Sequence, residues 1–257
     1  MSVTTNKQLN GQAGALQVND GGTGSIPVMF VHSFGGDQTH WNAQLEHLRK
    51  NRRAVAFDLR GHGRSAAAAD NNDSIDALAS DIAAVADQLR LPRFVLVGHS
   101  IGGAAALVYA GKYPQRLAGL VLVGAPGRTP PEQSKPIVAA LESDAYEKVM
   151  GEYWEKLLTN AVPEVRAQLE SGRRQMPRER SLGLIKATFA YDPAPSLRAY
   201  SGPTLLVGTP AEDQPGALHR LAPNLAHLIV SGTSHWIQMD KPDEFNRILD
   251  EFLSVVH

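Results

Sequence analysis

The segment GHSIG, residues 98–102, places a serine in the pattern G-x-S-x-G. It follows the apolar run FVLVG and precedes a segment rich in alanine and glycine with helical character. A sharp turn from a strand into a helix lifts a serine hydroxyl above the edge of a sheet, and Gly98 and Gly102 suit it because side chains there would crowd the turn. Ser100 is therefore the candidate nucleophile.

A serine hydroxyl needs a neighbouring base, which a third group must orient. His235 lies in the segment GTSHW, in a predicted loop between the last strand and the last helix, where it can reach the carboxyl edge of a parallel sheet. We predict His235 as the base. His32, His62 and His99 stand beside predicted strand ends or turns and are interpreted as structural, whereas His40 is expected at the surface.

The elements that must position these residues follow an alternating pattern. From about residue 26 to 125, short apolar runs alternate with segments of helical period, which predicts βαβ units and a parallel sheet. Continuous runs rich in Val, Leu and Phe are typical of strands covered by helices on both faces. The predicted strands are 28–32, 54–58, 94–98 and 120–124, and the predicted helices between them are 41–50 and 74–89.

Beyond Pro126 the pattern becomes helical for about sixty residues, with no convincing strand. We therefore predict a core domain of residues 1–126 and 196–257, with a helical cap of residues 127–195 inserted into it. The predicted cap helices are 132–141, 145–158, 163–171 and 179–189. The later predicted elements are strands at 204–208 and 226–230 and a terminal helix at 242–256.

Composition excludes several classes of function. The 257 residues include 25 Lys and Arg against 26 Asp and Glu, so no broad positive field favours a nucleic acid partner. The absence of cysteine excludes disulfides, thiolate metal sites and a cysteine nucleophile. No apolar stretch approaches the roughly 18 residues of a membrane helix, and residues 1–14 lack the apolar core of a signal peptide, so no membrane partner and a cytoplasmic location are expected. The oligomeric state is not predicted.

Several further segments carry a resemblance. VMFVHSFGGDQTHW, FDLRGHGRS, VLVGHSIGGAAALVYA, PTLLVG and GTSHWIQMDKPDEFNRILDEFL resemble, in this order, the α/β-hydrolase superfamily, in particular its small capped serine esterases and lactonase-like members. The resemblance covers nearly the whole chain. It implies a doubly wound, mostly parallel α/β sheet, a helical cap between the sixth and seventh strands, and a Ser–acid–His triad that requires neither a metal nor an organic cofactor.

The resemblance also implies an oxyanion hole made of two backbone N–H groups, those of Phe34 and Ile101. It places the acid a few residues after the seventh strand, often as G-x-x-D, but here that position is Ala211. Glu212 and Asp213 follow. We predict Asp213, whose shorter side chain has fewer rotors to immobilise; Glu212 is the alternative, and the absence of an acid would leave a Ser–His dyad.

Aromatic residues of the insertion recur at helical spacing, which is typical of packing, yet those that face the core would line an apolar pocket. We predict Trp154 and Phe189 as pocket residues of the cap. Trp236 beside the base and Ser33, which stands where the family usually has glycine, are the predicted pocket residues of the core.

These residues together predict a serine hydrolase that cleaves small carboxylic esters or lactones through an acyl-enzyme intermediate. A carbon–carbon bond hydrolase or a cofactor-free perhydrolase would use the same triad. A ligand-sensing receptor that retains the triad, and a catalytically dead scaffold, are the alternatives of a different class.

Overall fold

An eight-stranded sheet lies at the centre of the protein, whose computed structural model describes residues 4–256. The order across the sheet is β1-β2-β4-β3-β5-β6-β7-β8, and strands from β4 to β8 pair in parallel. The strands are β1 Thr5–Gly11, β2 Gly14–Gly21, β3 Ser25–Val31, β4 Arg52–Phe57, β5 Phe94–His99, β6 Leu117–Val123, β7 Thr204–Gly208 and β8 Ala226–Ile229. The predicted mostly parallel α/β sheet is confirmed.

The hairpin of β1 and β2 at one edge of the sheet has no counterpart in the sequence predictions. β1 contains one large apolar residue, Leu9, so its sequence shows no hydrophobic alternation. β2 pairs antiparallel with both β1 and β4, and Val18 lies opposite Phe57. The hairpin therefore extends the sheet by backbone pairing more than by burial of β1.

Helices cover both faces of the sheet, as the continuous apolar strands predict. Successive residues of β3 alternate between the faces: Met29 packs with the helices of residues 75–88 and 101–112, while Phe30 packs with those of residues 42–48 and 242–254. The helices outside the insertion are α1 Asn42–Leu48, α2 Ile75–Gln88, α3 Ile101–Lys112, α8 Ala194–Ala199, α9 Leu218–Leu221, α10 Ile237–Asp240 and α11 Pro242–Ser254.

Five helices lie between β6 and β7, and we refer to the first four of them as the cap helices. Each of them corresponds to one predicted helix, and its first and last residues differ from the predicted ones by at most four positions. They pack around a shared apolar cluster that includes Leu141, Met150, Trp154 and Leu169. Within residues 4–256 no helix is both long enough and apolar enough to span a membrane. The cap helices are α4 Pro131–Glu142, α5 Tyr146–Leu157, α6 Pro163–Gln175 and α7 Arg178–Ala190.

A buried ion pair fastens the loop after β4 to α2. Arg60 donates to both carboxylate oxygens of Asp81, at 2.6 and 2.7 Å, and also to the carbonyls of Asn72 and Ala77. The side chains are 4% and 0% exposed. The same loop carries Asp58, whose carboxylate accepts the backbone N–H of Gln38 and of Arg64, so the loops after β3 and β4 are tied together.

We predict that Asp81→Asn lowers the free energy of unfolding by about 3–5 kcal/mol, because it leaves the Arg60 charge buried and uncompensated. Urea denaturation measures the change. Asp87→Asn is the matched control on the same helix: its partner is Arg116 and its side chain is 64% exposed, so a change within about 1 kcal/mol is expected. Equal effects of the two substitutions would contradict the prediction.

Candidate active site

Ser100 stands at the turn between β5 and α3 in a strained conformation. Its φ of +52° and ψ of −122° lie outside the regions that side-chain-bearing residues favour. The N–H of Ser100 donates to the carbonyl of Val123 at 2.8 Å, and its own carbonyl accepts from Ala104 at 3.0 Å. A Cβ at Gly102 would lie 2.3 Å from the carbonyl oxygen of His32, so only glycine fits at this position. We refer to the turn of residues 98–102 as the elbow. Strand pairing and the first turn of α3 thus hold the serine in place.

His235 pairs with Glu212. Its Nδ1–H donates to Glu212 Oε1 at 2.6 Å, and Glu212 Oε2 accepts the backbone N–H of Thr209 at 3.0 Å. Gly124, which follows β6 with a φ of +50°, leaves room for the pair: a Cβ there would lie 2.7 Å from the imidazole ring and 2.8 Å from the carboxylate. The carboxylate fixes the tautomer of His235, with Nε2 left as the basic atom.

This geometry corrects the prediction that Asp213 is the partner of His235. The Asp213 carboxylate faces α9, where it accepts from Arg220 at 2.7 and 3.0 Å and contacts His219 at 2.8 Å. The residues 210–212 form a 3₁₀ turn after β7, and side chains in such a turn project about 120° apart. One position along the chain therefore changes the direction of the carboxylate, and the longer side chain of Glu212 spans the remaining distance.

His99, inside the elbow, holds the loop that carries His235. It is fully buried, and its Nε2–H donates to the carbonyl of His235 at 2.9 Å while Nδ1 accepts from the amide of Gln238 at 3.3 Å. Burial lowers the pKa of His99 well below its usual value, so the ring is neutral. The sequence marks this residue only as the variable position of the motif.

Asp240 joins the same loop to the cap. One carboxylate oxygen accepts from the backbone N–H and the hydroxyl of Ser234, at 2.8 and 2.5 Å, and the other accepts the N–H of Val162, which precedes α6. The N–H of His235 itself donates to the carbonyl of Leu157 at the end of α5. The loop is therefore hydrogen-bonded to two segments of the insertion.

Phe34 and Ile101, the predicted oxyanion donors, both border the space beside Ser100. Ile101 is the first residue of α3, where backbone N–H groups have no partner within the helix. The loop that carries Phe34 is held by His32, whose Nδ1–H donates to the carbonyl of Ser33 at 2.7 Å and whose Nε2 accepts the N–H of Leu59 at 2.9 Å.

An apolar cavity of about 200 Å³ opens at Ser100. Phe34, Ser100 and Ile101 form its wall on the core side. The remaining residues that border it belong to the cap helices α4, α5 and α7: Ile137, Leu141, Val149, Met150, Tyr153, Leu184, Ile185, Thr188 and Phe189.

Of the four predicted pocket residues, Phe189 borders this cavity, whereas Trp154, Trp236 and Ser33 do not. Trp154 stacks on Trp236 with ring centres 5.4 Å apart, and the indole N–H of Trp236 donates to the Ser33 hydroxyl at 3.1 Å. Each of these three residues is 1% exposed. The prediction that these three residues contact a substrate is therefore wrong. They pack and hydrogen-bond with one another instead, because the stacked indoles fill the space between α5 and the core.

A cluster of buried histidines lies beneath the loop that carries Phe34. The ring of His32 is 6.4 Å from that of His40 and 5.0 Å from that of His62, and all three are at most 5% exposed. The prediction that His40 lies at the surface is therefore wrong. Burial lowers the pKa of His32 and of His40 to about 4 and that of His62 to about 3.

The chain is similar to several known proteins. A family model described as the alpha/beta hydrolase fold matches residues 26–242. The sn-1-specific diacylglycerol lipase ABHD11 of Mus musculus is 30% identical over 256 residues, which cover 91% of this chain and 83% of that protein. In contrast, the chain spans only 29% of the length of a Pseudomonas putida relative that is 43% identical over 107 residues.

Two solved structures match nearly all of the fold. A thermophilic esterase from Thermogutta terrifontis has a TM-score of 0.83 and 26% identity, covering 98% of this chain and 99% of that chain. An N-acyl homoserine lactone degrading enzyme has a TM-score of 0.81 and 26% identity, and the match covers 96% of this chain and 100% of that chain.

We predict that stability falls as the pH drops from about 6.5 to 4, because the buried histidines stay neutral in the folded protein and bind protons in the unfolded one. His40→Asn removes one such group and should flatten the slope of unfolding free energy in this interval by up to about 1.4 kcal/mol per pH unit. Urea denaturation at a series of pH values measures both slopes. They should coincide above pH 7.5; identical slopes below pH 6.5 would contradict the prediction.

Proposed function

Since the chain belongs to the α/β-hydrolase superfamily, we propose that it is a serine hydrolase that cleaves carboxylic esters or lactones through an acyl-enzyme. The observation that carries the proposal is the 2.6 Å hydrogen bond from His235 Nδ1 to Glu212, at the same sheet edge as the strained Ser100. In this proposal Ser100 is the nucleophile, His235 the base and Glu212 the acid.

The proposed reaction has two halves. His235 Nε2 accepts the proton of the Ser100 hydroxyl as Oγ attacks the carbonyl carbon, and then delivers it to the leaving alcohol. The N–H groups of Phe34 and Ile101 stabilise the oxyanion in each tetrahedral intermediate. His235 then takes a proton from a water molecule as it attacks the acyl-enzyme, and passes this proton to Ser100 Oγ as the acyl–oxygen bond breaks and the acid is released. Glu212 keeps the imidazole in the required tautomer and stabilises its protonated form.

The similar proteins support this class of reaction. The Thermogutta protein is an esterase, the second structure is a lactone-degrading enzyme, and the mouse relative is a lipase. Esters and lactones share the same electrophilic carbonyl, and opening a lactone keeps the leaving alcohol attached to the acyl group. One arrangement of nucleophile, base and oxyanion donors therefore serves both substrates.

We predict that Ser100→Ala lowers kcat for p-nitrophenyl esters by about 10⁶, the loss typical of a missing triad nucleophile. A fluorophosphonate should label the wild type at Ser100 alone, as peptide mass spectrometry would show, and should not label the variant. Ser254→Ala, an exposed serine near the end of α11, is the control and should retain full activity and labelling. Labelling of Ser33 or Ser234 would overturn the assignment.

A second prediction separates the two neighbouring carboxylates. Glu212→Gln should lower kcat by about 10⁴, because the amide no longer stabilises the imidazolium or fixes its tautomer. Asp213→Asn, the matched control, breaks contacts with Arg220 and His219 only and should lower kcat by less than about tenfold. Steady-state kinetics with circular dichroism of both variants provide the measurement. A larger loss in the Asp213 variant would reverse the assignment.

A further inference from the structure

The cavity beside Ser100 is suited to an uncharged ligand. None of the described side chains that border it carries a charge. Of its hydroxyls, that of Thr188 already donates to the carbonyl of Leu184 at 2.9 Å. A carboxylate or ammonium group placed there would lose its hydration without gaining a partner of opposite charge, and that loss is costly.

The position of the cavity relative to His235 indicates whether the cavity binds the acyl group or the alcohol of an ester. The base must lie beside the leaving alcohol, because it returns the proton to that oxygen. The oxyanion and the acyl chain lie on the side of the backbone donors. The cavity borders Phe34 and Ile101 as well as Ser100, whereas His235 is not among the described residues that border it. Its ring packs instead against His99, with ring centres 4.7 Å apart.

The volume of the cavity limits the size of that acyl chain. An engineered apolar cavity of about 150 Å³ accommodates the six carbon atoms of benzene, so about 200 Å³ accommodates roughly eight. Leu141, Met150 and Leu184 close one side, since each is at most 2% exposed. Ile137 and Tyr153 are 40% and 44% exposed and mark the opening to solvent.

We propose that this cavity is the acyl subsite and that it selects neutral acyl chains of about six to eight carbon atoms. The inference rests on the proposed function and adds a substrate class to it. The residues that border the subsite come mostly from the cap helices, so its length preference is a property of α4, α5 and α7.

The test measures kcat/KM for two series of esters. In the first, p-nitrophenyl esters extend from acetate to dodecanoate; kcat/KM should rise about two- to fourfold per methylene up to six to eight carbons and fall at least about tenfold by dodecanoate. In the second, acetate esters of methanol, butanol and octanol keep the acyl group fixed, and their kcat/KM values should agree within about threefold. The mono-p-nitrophenyl ester of adipic acid, six carbons with a terminal carboxylate, should react at least about 100-fold more slowly than the hexanoate.

Variants of Ile185, which is half-buried on α7 and borders the cavity, change its volume. Ile185→Trp should move the optimum to two to four carbons, and Ile185→Ala should move it to about ten. Leu182→Ala and Leu182→Trp are the matched controls on the same helix, because Leu182 is also half-buried but does not border the cavity; they should leave the optimum in place. Circular dichroism and fluorophosphonate labelling of every variant confirm folding.

Three outcomes would overturn the subsite. These are an acyl preference that neither Ile185 substitution changes, an effect of those substitutions on the alcohol series instead, and equal rates for the hexanoate and the adipate monoester. Failure of the proposed function is distinguishable from all three, because the wild type would then neither hydrolyse any ester nor be labelled at Ser100.

Discussion

Parallel pairing of β3, β5, β6, β7 and β8 is the constraint on which the candidate site depends. Parallel strands bring their carboxyl ends to one edge of a sheet, so loops distant in sequence leave the sheet side by side. Phe34 follows β3, Ser100 follows β5, Glu212 follows β7 and His235 follows β8. A strand that reversed direction in this region would carry its loop to the opposite edge. Among the strands of residues 4–256, β2 alone runs against the others, and it lies away from these loops.

The elements at that edge support one another through neutral, buried groups. His32 holds the loop that carries Phe34 and His99 holds the loop of His235, each by donating to a carbonyl and accepting from an N–H. A protonated ring would lose the acceptor half of each arrangement. Burial therefore has two effects here: it excludes water from the bonds and keeps the rings in the form that can make both of them.

The sequence predicts most of this arrangement because each strong pattern has a local cause. Apolar runs predict the buried strands, and the spacing of Gly98 and Gly102 around Ser100 predicts the elbow. The prediction of Asp213 as the acid is wrong because the direction of each carboxylate depends on the 3₁₀ turn at residues 210–212. A shift of one residue in such a turn rotates the side chain by about 120°. The sequence predicts neither the burial of His40 nor the pairing of β1, because both depend on contacts with distant segments, which no local pattern records.

The hydrogen bond from the His235 N–H to the Leu157 carbonyl couples the end of α5 to the proposed base. In the proposed mechanism, a backbone shift at the end of α5 would displace the base, so a change that reshapes this helix would alter turnover as well as substrate choice. The helices α4 and α7 have no hydrogen bond to the loop of His235 among residues 4–256. Under the proposed function, substitutions in α4 and α7 would change specificity with less effect on the rate than substitutions in α5, which would change both properties.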